Sequence, residues 1–172
     1  MTASISIRFA TADDAEVIGY HRARMFYDMG QISESLFQPF RSRSTARLAE
    51  LLDSGEYVGW LATRANSPGE VIAGAGVHLR TVLPHPVDDN TFADGHHATI
   101  INVFTEPAWR RKGIAELLLR RIINWSKEQK LDRVVLHASA QGRALYQRLG
   151  FVGTNEMQLA PGMIREHRCG RD

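Results

Sequence analysis

The chain has 172 residues, a length that suits one hydrophobic core, and we expect residues 1–172 to form a single domain. Its 21 Lys and Arg residues exceed its 19 Asp and Glu residues by two, which gives little general attraction for nucleic acid or an anionic membrane. Cys169 is the only cysteine, so an internal disulfide is excluded and a reducing cytoplasm fits.

The N-terminal part of the chain predicts a strand followed by a helix. Residues 1–8 are neither basic nor continuously apolar, and nowhere do eighteen apolar residues run together, so we expect no targeting segment and a cytoplasmic protein. Alternating apolar residues predict a strand over 4–9. Thr11 and Asp14 resemble a capping box, and the helix after it should reach about Met29, before Gly30.

The middle of the chain predicts one or two helical pieces around Pro39, then a hairpin, then a long exposed loop. We place them at 32–52 (most clearly 45–52), at 57–63 and 71–79 with a turn at 66–69, and at 80–97. Loops of that length inside a domain are usually mobile or functional.

From residue 98 the pattern alternates between strands and helices. The predicted order is strand 98–104, helix 114–130, strand 133–137, helix 141–149 and strand 151–159. A strand followed by a helix and another strand requires a parallel pair, so we predict an α/β fold. The long helix carries an apolar stripe of Ile114, Leu118, Ile122 and Trp125 that should face the sheet.

A basic turn joins the strand at 98–104 to the long helix. It reads Arg110-Arg111-Lys112-Gly113-Ile114-Ala115. The first backbone N–H groups of a helix lack intrahelical partners, and the positive end of the helix dipole favours phosphate there. The turn therefore predicts an anion site, and the plainer alternative is a crossover loop with solvated charges.

Two motifs together resemble the GNAT superfamily of N-acyltransferases. The turn reads R-x-x-G-x-A, where that family has the acyl-CoA-binding signature Q/R-x-x-G-x-G/A. Residues Gly142 to Phe151 resemble its closing motif, A-x-x-L-Y-x-x-x-G-F, one helix and one strand further on. The resemblance implies a GNAT fold: a mixed, mostly antiparallel central sheet with a parallel, splayed central strand pair and helices on both faces. It also implies an acetyl-CoA-dependent N-acetyltransferase that uses no metal.

The resemblance also assigns the donor-binding residues. The pantetheine arm of acetyl-CoA would pair with the open edge at Val103, Phe104 and Thr105, and the pyrophosphate would lie on residues Arg110, Arg111, Lys112, Gly113, Ile114 and Ala115. Many members place an asparagine after the strand that corresponds to 133–137. This chain has Ser139 there, which either replaces that cofactor contact or caps the following helix.

Acylation of an amine needs a neutral nucleophile and a stabilised leaving thiolate. An alkyl ammonium has a pKa near ~10.4, so a base must take its proton. Glu106 matches an acidic position used as a base in some members. The alternative is that Glu106 is a surface turn residue before Pro107, and that Asn102 or a water chain acts as the base instead. Tyr146 matches a tyrosine that often reaches the thioester sulfur, and packing of its helix is the alternative.

The amine acceptor, a small molecule or a peptide, is expected between the first helices and the loop at 80–97. Its candidate wall residues are Arg22, Arg24, Tyr27, Asp28 and Met29, for which ordinary packing roles also fit.

We expect no metal site at His85, His96 and His97, because adjacent histidines point apart in extended chain. A homodimer is possible. The competing functions are a non-catalytic acetyl-CoA-binding sensor and, less favoured, a nucleic-acid-binding protein that uses the basic turn.

Overall fold

The computed structural model describes residues 4–160, which form two compact units that divide between His137 and Ala138. The strands of the first unit are β1 (Ile5–Phe9), β2 (Tyr57–Arg64), β3 (Ser67–Thr81), β4 (His85–Pro86), β5 (Phe92–Ala93), β6 (His96–Thr105) and β7 (Arg133–Leu136). Its helices are α1 (Ala15–Asp28), α2 (Glu34–Asp53) and α3 (Ile114–Glu128). The second unit contains α4 (Arg143–Arg148). No helix between residues 4 and 160 is both long and apolar enough to cross a membrane.

Among the described residues, the main sheet has the order β1-β2-β3-β6-β7. Its neighbours are antiparallel except β6 and β7, which run parallel. The two faces are covered by different helices: Trp60 stacks edge-to-face on Trp125 of α3, whereas the next residue, Leu61, packs in a core with α1 and α2. Consecutive strand residues point to opposite faces. The predicted mixed sheet with a parallel pair and helices on both faces is therefore confirmed.

The helices predicted after Asp14 and at 114–130 are confirmed as α1 and α3. Asp14 accepts a hydrogen bond from the backbone N–H of Thr11 at 2.8 Å, so the carboxylate half of the predicted capping box is present before α1. In α3 the predicted stripe is buried at Ile114, Leu118 and Ile122. Burial of such a stripe against a sheet is what makes an amphipathic helix stable.

Of the one or two helical pieces predicted around Pro39, the structure has one, because α2 runs unbroken through that proline. Proline removes one backbone hydrogen bond near the start of the helix. Aromatic packing against α1 on both sides of it offsets that loss: Phe37 contacts Tyr20 and Tyr27, and Phe40 contacts Phe26.

The hairpin is confirmed, but its turn and the loop after it need correction. Arg64 faces Ser67, so the turn lies at residues 65 and 66, and the segment 67–69 belongs to β3. The register then shifts to Thr63 facing Val71, which leaves Pro68 outside the ladder, where it needs no N–H. The predicted loop at 80–97 is shorter than expected, because β3 and β6 extend into it and β4 pairs with β5.

In the second unit, the strand predicted at 151–159 is absent. Residues 151–160 form no strand, and Val152 and Met157 are highly exposed. The N–H of Phe151 instead donates to the carbonyl of Tyr146 at 3.0 Å and closes the end of α4, with Gly150 at φ 96°. Apolar spacing alone does not form a strand without a pairing partner.

Candidate functional site

The carboxyl end of β6 has a backbone edge that no strand within residues 4–160 pairs with. β7 pairs with β6 from His97 to Ile100 only, whereas β3 continues to pair as far as Thr105. A bulge separates the two regions, since Gly74 and Gly76 of β3 face Phe104 and Ile101 of β6, two residues apart on one strand and three on the other. Beyond Ile100, the side of β6 that faces away from β3 is not paired by β7. The splayed parallel pair is therefore present.

Asn102 holds this bulge in place. Its φ is 58°, in the left-handed region, and the residue is 4% exposed. Its side-chain oxygen accepts a hydrogen bond from Nη1 of Arg22 at 2.7 Å, and its amide nitrogen donates to the hydroxyl of Tyr57 at 3.3 Å. The amide is thus occupied by two neighbours, and this geometry gives no support to Asn102 as a replacement base.

The basic turn has the backbone shape that exposes a helix N-terminus. Arg111 and Gly113 both have positive φ, at 64° and 79°, and α3 begins at Ile114. No atom of the described residues 4–160, apart from the chain immediately next to Gly113, lies within 4 Å of the position that its Cβ would occupy. The ammonium of Lys112 lies 4.6 Å from the ring centre of Trp109, and Arg111 has no ion pair within residues 4–160.

Arg110, the first residue of the turn, points towards α1. Its Nη2 atom donates to Oδ2 of Asp28 at 2.6 Å, and its Nε donates to the carbonyl of Thr105 at 3.0 Å. Arg24 binds the other oxygen of the same carboxylate at 2.9 Å. Asp28 therefore binds two guanidinium groups. The side chain of Arg110, which was predicted to bind pyrophosphate, instead connects the turn to Asp28, one of the predicted acceptor-wall residues.

Glu106 follows the open edge and turns its carboxylate to α1. Its backbone N–H donates to the carbonyl of Ile72 at 2.9 Å, which fixes the main chain where β6 ends. Its Oε1 atom lies 3.3 Å from Nε2 of His21, and its side chain is 29% exposed. Burial raises the pKa of Glu106 above its usual value, while Arg24 and Arg110 oppose that rise. Half-buried, with its pKa raised, Glu106 has the environment of a general base.

The five predicted wall residues do not form one surface. Arg22 turns inward to Asn102, whereas Arg24 and Asp28 belong to the ion cluster with Arg110. Tyr27 and Met29 are exposed. The other predicted donor residues lie as follows: Phe104 and Ile114 are buried, and Val103, Thr105 and Ala115 are half-buried.

Sequence reasoning missed His21. It lies on α1 three residues after Ile18, both are buried, and its ring packs 4.8 Å from that of Phe104. The available signal was a titratable residue at the spacing of the apolar stripe. Without the fold, that spacing does not show that the ring faces Glu106.

In the second unit, Tyr146 lies on α4 and Ser139 precedes that helix. Burial raises the pKa of Tyr146, which therefore stays protonated at neutral pH. Its ring contacts Phe151 edge-to-face, with centroids 6.1 Å apart. The hydroxyl of Ser139 accepts a hydrogen bond from the N–H of Gly142 at 3.1 Å, within the turn that precedes α4.

Other polar clusters lie away from this site. The rings of His85 and His97 are 5.1 Å apart, but among the described residues no group of three His, Cys, Asp or Glu side chains is arranged to hold a metal ion. A groove of about 760 Å³ lies at the opposite end of β6, where His96 and His97 form part of its wall.

A central strand whose end is left unpaired by β7, followed by a half-buried carboxylate and a basic helix N-terminus, defines a site for an extended, anionic ligand beside a base. Residues 28–151 match the acetyltransferase (GNAT) family, and this match covers more than half of the chain. The chain therefore belongs to the GNAT acetyltransferase family, as the two motifs predicted.

Solved structures and one curated protein are similar to the chain. A GCN5-related N-acetyltransferase from Ralstonia eutropha JMP134 is 27% identical with a TM-score of 0.79, and the match covers 92% of this chain and 99% of that one. A predicted acetyltransferase from Clostridium acetobutylicum, solved with acetyl-CoA, is 26% identical with a TM-score of 0.78, covering 95% and 100%. N-acetyltransferase 8 of Homo sapiens is 31% identical over 74 residues, which are 41% of this chain and 32% of that protein. The chain thus spans about a third of the length of this curated relative.

Proposed function

We propose that this protein is an N-acetyltransferase that transfers the acetyl group of acetyl-CoA to a primary amine by direct attack. The observation that carries the proposal is the end of β6: its pairing with β7 stops at Ile100, and the unpaired edge leads directly to Glu106. We further propose that residues 1–172 act as one domain in a reducing cytoplasm. The family match supports the single domain, because it extends across the boundary between the two units.

The donor fits the backbone features of the turn and edge. The pantetheine amides would pair with the edge at Val103, Phe104 and Thr105. The pyrophosphate would lie on the N–H groups from Gly113 to Ala115, where the open space above Gly113 allows close approach, with Arg111 beside it. The similar Clostridium acetobutylicum structure, solved with acetyl-CoA, supports this choice of donor.

Glu106 would act as the general base. It takes the proton from the acceptor ammonium, directly or through one water, and the freed amine nitrogen bonds to the thioester carbonyl carbon. The carbon–sulfur bond then breaks, the second proton of the amine nitrogen passes through water to the leaving thiolate, and the products are the N-acetyl amine and CoA. A raised pKa suits this role, because a stronger base removes the proton more readily.

Tyr146 would donate a hydrogen bond to the leaving sulfur. A phenol has a pKa near ~10 and a thiol near ~8.5, so complete proton transfer to the thiolate is uphill. Burial raises the pKa of Tyr146 and increases that gap. The favoured role is therefore stabilisation of the developing negative charge by a hydrogen bond.

The test is release of the CoA thiol with a panel of primary amines, from small amines to peptide N-termini. We expect turnover with at least one class and a fall in kcat of about 100-fold in Glu106→Gln, with acetyl-CoA affinity by calorimetry unchanged. If wild type binds acetyl-CoA but acetylates no amine, the non-catalytic sensor is correct. If the wild type binds nucleic acid with a steep salt dependence and is unaffected by CoA, the nucleic-acid alternative is correct.

Tyr146→Phe separates the role of the phenol from packing. The variant keeps the ring that contacts Phe151 and loses only the hydroxyl. We expect a fall in kcat of about tenfold, the effect of one hydrogen bond to a charged group, with an unchanged melting temperature. Unchanged kcat would leave Tyr146 with a packing role alone.

A further inference from the structure

His21 is a buried titratable residue with no partner for either ring nitrogen. The residue is 1% exposed, and among the described residues neither Nδ1 nor Nε2 has a hydrogen bond. Nδ1 lies 3.6 Å from the position that a Cβ on Gly74 of β3 would occupy, and the ring tilts against that of Phe104 of β6. Buried polar atoms are usually satisfied, since leaving one unpaired costs free energy that an apolar side chain would avoid.

The unpaired Nε2 atom of His21 lies 3.3 Å from the carboxylate atom Oε1 of Glu106. The distance suits a hydrogen bond, but the angles between the ring N–H and the carboxylate do not satisfy one in this conformation. The two partners differ in freedom: His21 is enclosed, whereas the Glu106 side chain is partly exposed. A rotation of the carboxylate alone would align it with Nε2–H.

We propose that His21 is a positioning residue for Glu106, whose carboxylate accepts a hydrogen bond from Nε2–H and is thereby held ionised and aimed at the acceptor amine. This inference rests on the proposed role of Glu106 as base. It assigns the Nε2–H tautomer to His21, because Nε2 faces the carboxylate and Nδ1 faces β3.

The protonation state of His21 fits a donor and does not fit a proton relay. Burial lowers its pKa to about 4, so the ring is neutral at pH 7 and carries one N–H. The charged groups that face Glu106 are Arg24 and Asp28 of α1 and Arg110 of the turn. These remain in place when His21 is replaced. A hydrogen bond to the ionised carboxylate lowers the pKa of that carboxyl, so loss of the bond should raise it.

The test compares His21→Gln, which keeps an N–H donor near Nε2, with His21→Leu, which does not. The pKa of Glu106 is measured by NMR titration of its side-chain carbon, with the signal identified by its absence in Glu106→Gln. We expect His21→Leu to raise this pKa by about one pH unit and His21→Gln to stay within about 0.3 of wild type. In His21→Leu, the acid limb of the pH profile of kcat/KM should shift to higher pH by the same amount, and the KM for acetyl-CoA should not change.

Equal pKa values in wild type and His21→Leu, or equal shifts in both variants, would overturn the inference. The titration needs no turnover, so failure of the proposed reaction in the amine panel is seen separately. If His21→Leu does not fold, the ring ¹⁵N shifts of wild type decide: the Nε2–H tautomer with a shift that changes in Glu106→Gln supports the proposal, and the Nδ1–H tautomer contradicts it.

Discussion

The turn that starts α3 and the buried layer beneath α1 (His21, Arg22 and Asn102) each place a residue beside Glu106, Arg110 and His21 respectively, yet they are built in different ways. The turn depends on backbone shape: positive φ at Arg111 and Gly113, open space above the glycine, and exposed N–H groups. The layer beneath α1 depends on side chains that meet across the fold, as Arg22 and Asn102 do.

This difference separates the kinds of substitution that each region tolerates. In the turn, side chains can change if the new residue accepts a left-handed conformation, because the predicted donor contacts are made by main-chain atoms. In the layer beneath α1, a change of one atom leaves a buried polar partner unsatisfied. We therefore expect stability effects to be largest under α1 and donor-affinity effects to be largest in the turn.

Asn102→Leu should have the largest effect on stability. It removes both hydrogen bonds of the buried amide, leaves Arg22 and Tyr57 unpaired, and forces leucine into a left-handed conformation. We expect the free energy of unfolding to fall by about 2–4 kcal/mol in urea denaturation. Asn102→Asp is the matched control, since aspartate tolerates the conformation and still accepts from Arg22. Equal losses in the two variants would show that the bulge does not depend on these contacts.

Gly113→Val should affect the donor more than the fold. A β-branched residue at φ 79° costs about 1–2 kcal/mol, although its Cβ would meet no neighbouring atom within 4 Å in the described part of the chain. We expect the KM for acetyl-CoA to rise about tenfold as the backbone of the turn changes. Gly55→Val is the control, because Gly55 also has positive φ (75°) and open space but follows α2. If the KM for acetyl-CoA rises equally in both variants, general destabilisation and not the turn explains the effect.

The two regions also differ in how well the sequence predicted them. The strand, the turn and α3 have local signals: apolar alternation, basic residues around Gly113, and an apolar stripe. Those elements are confirmed. The continuity of α2 through Pro39 and the missing strand after Phe151 were decided by packing and pairing with distant residues, which override local propensity.

Side-chain direction was the least predictable feature of the site. Arg110 belongs to a motif that suggests phosphate, but its guanidinium binds Asp28, which is 82 residues away in sequence. Asn102 was considered only as an alternative base, whereas its positive φ lies at the bulge between β3 and β6 and its amide binds Arg22 and Tyr57. Neither position shows periodicity or spacing that would indicate these contacts.

Arg110 and Arg111 give the finest test, because they are adjacent and chemically identical but have different partners. Arg111→Gln should raise the KM for acetyl-CoA about threefold at low salt, and the effect should shrink as salt screens the exposed charge. Arg110→Gln should change the KM for acetyl-CoA less than twofold. It should raise the KM for the amine, because Asp28 on the predicted acceptor wall then loses one of the two guanidinium groups that hold it in place. An equal rise in acetyl-CoA KM in both variants would mean that Arg110 leaves Asp28 to bind phosphate, and the turn and the α1 layer would then share one cation.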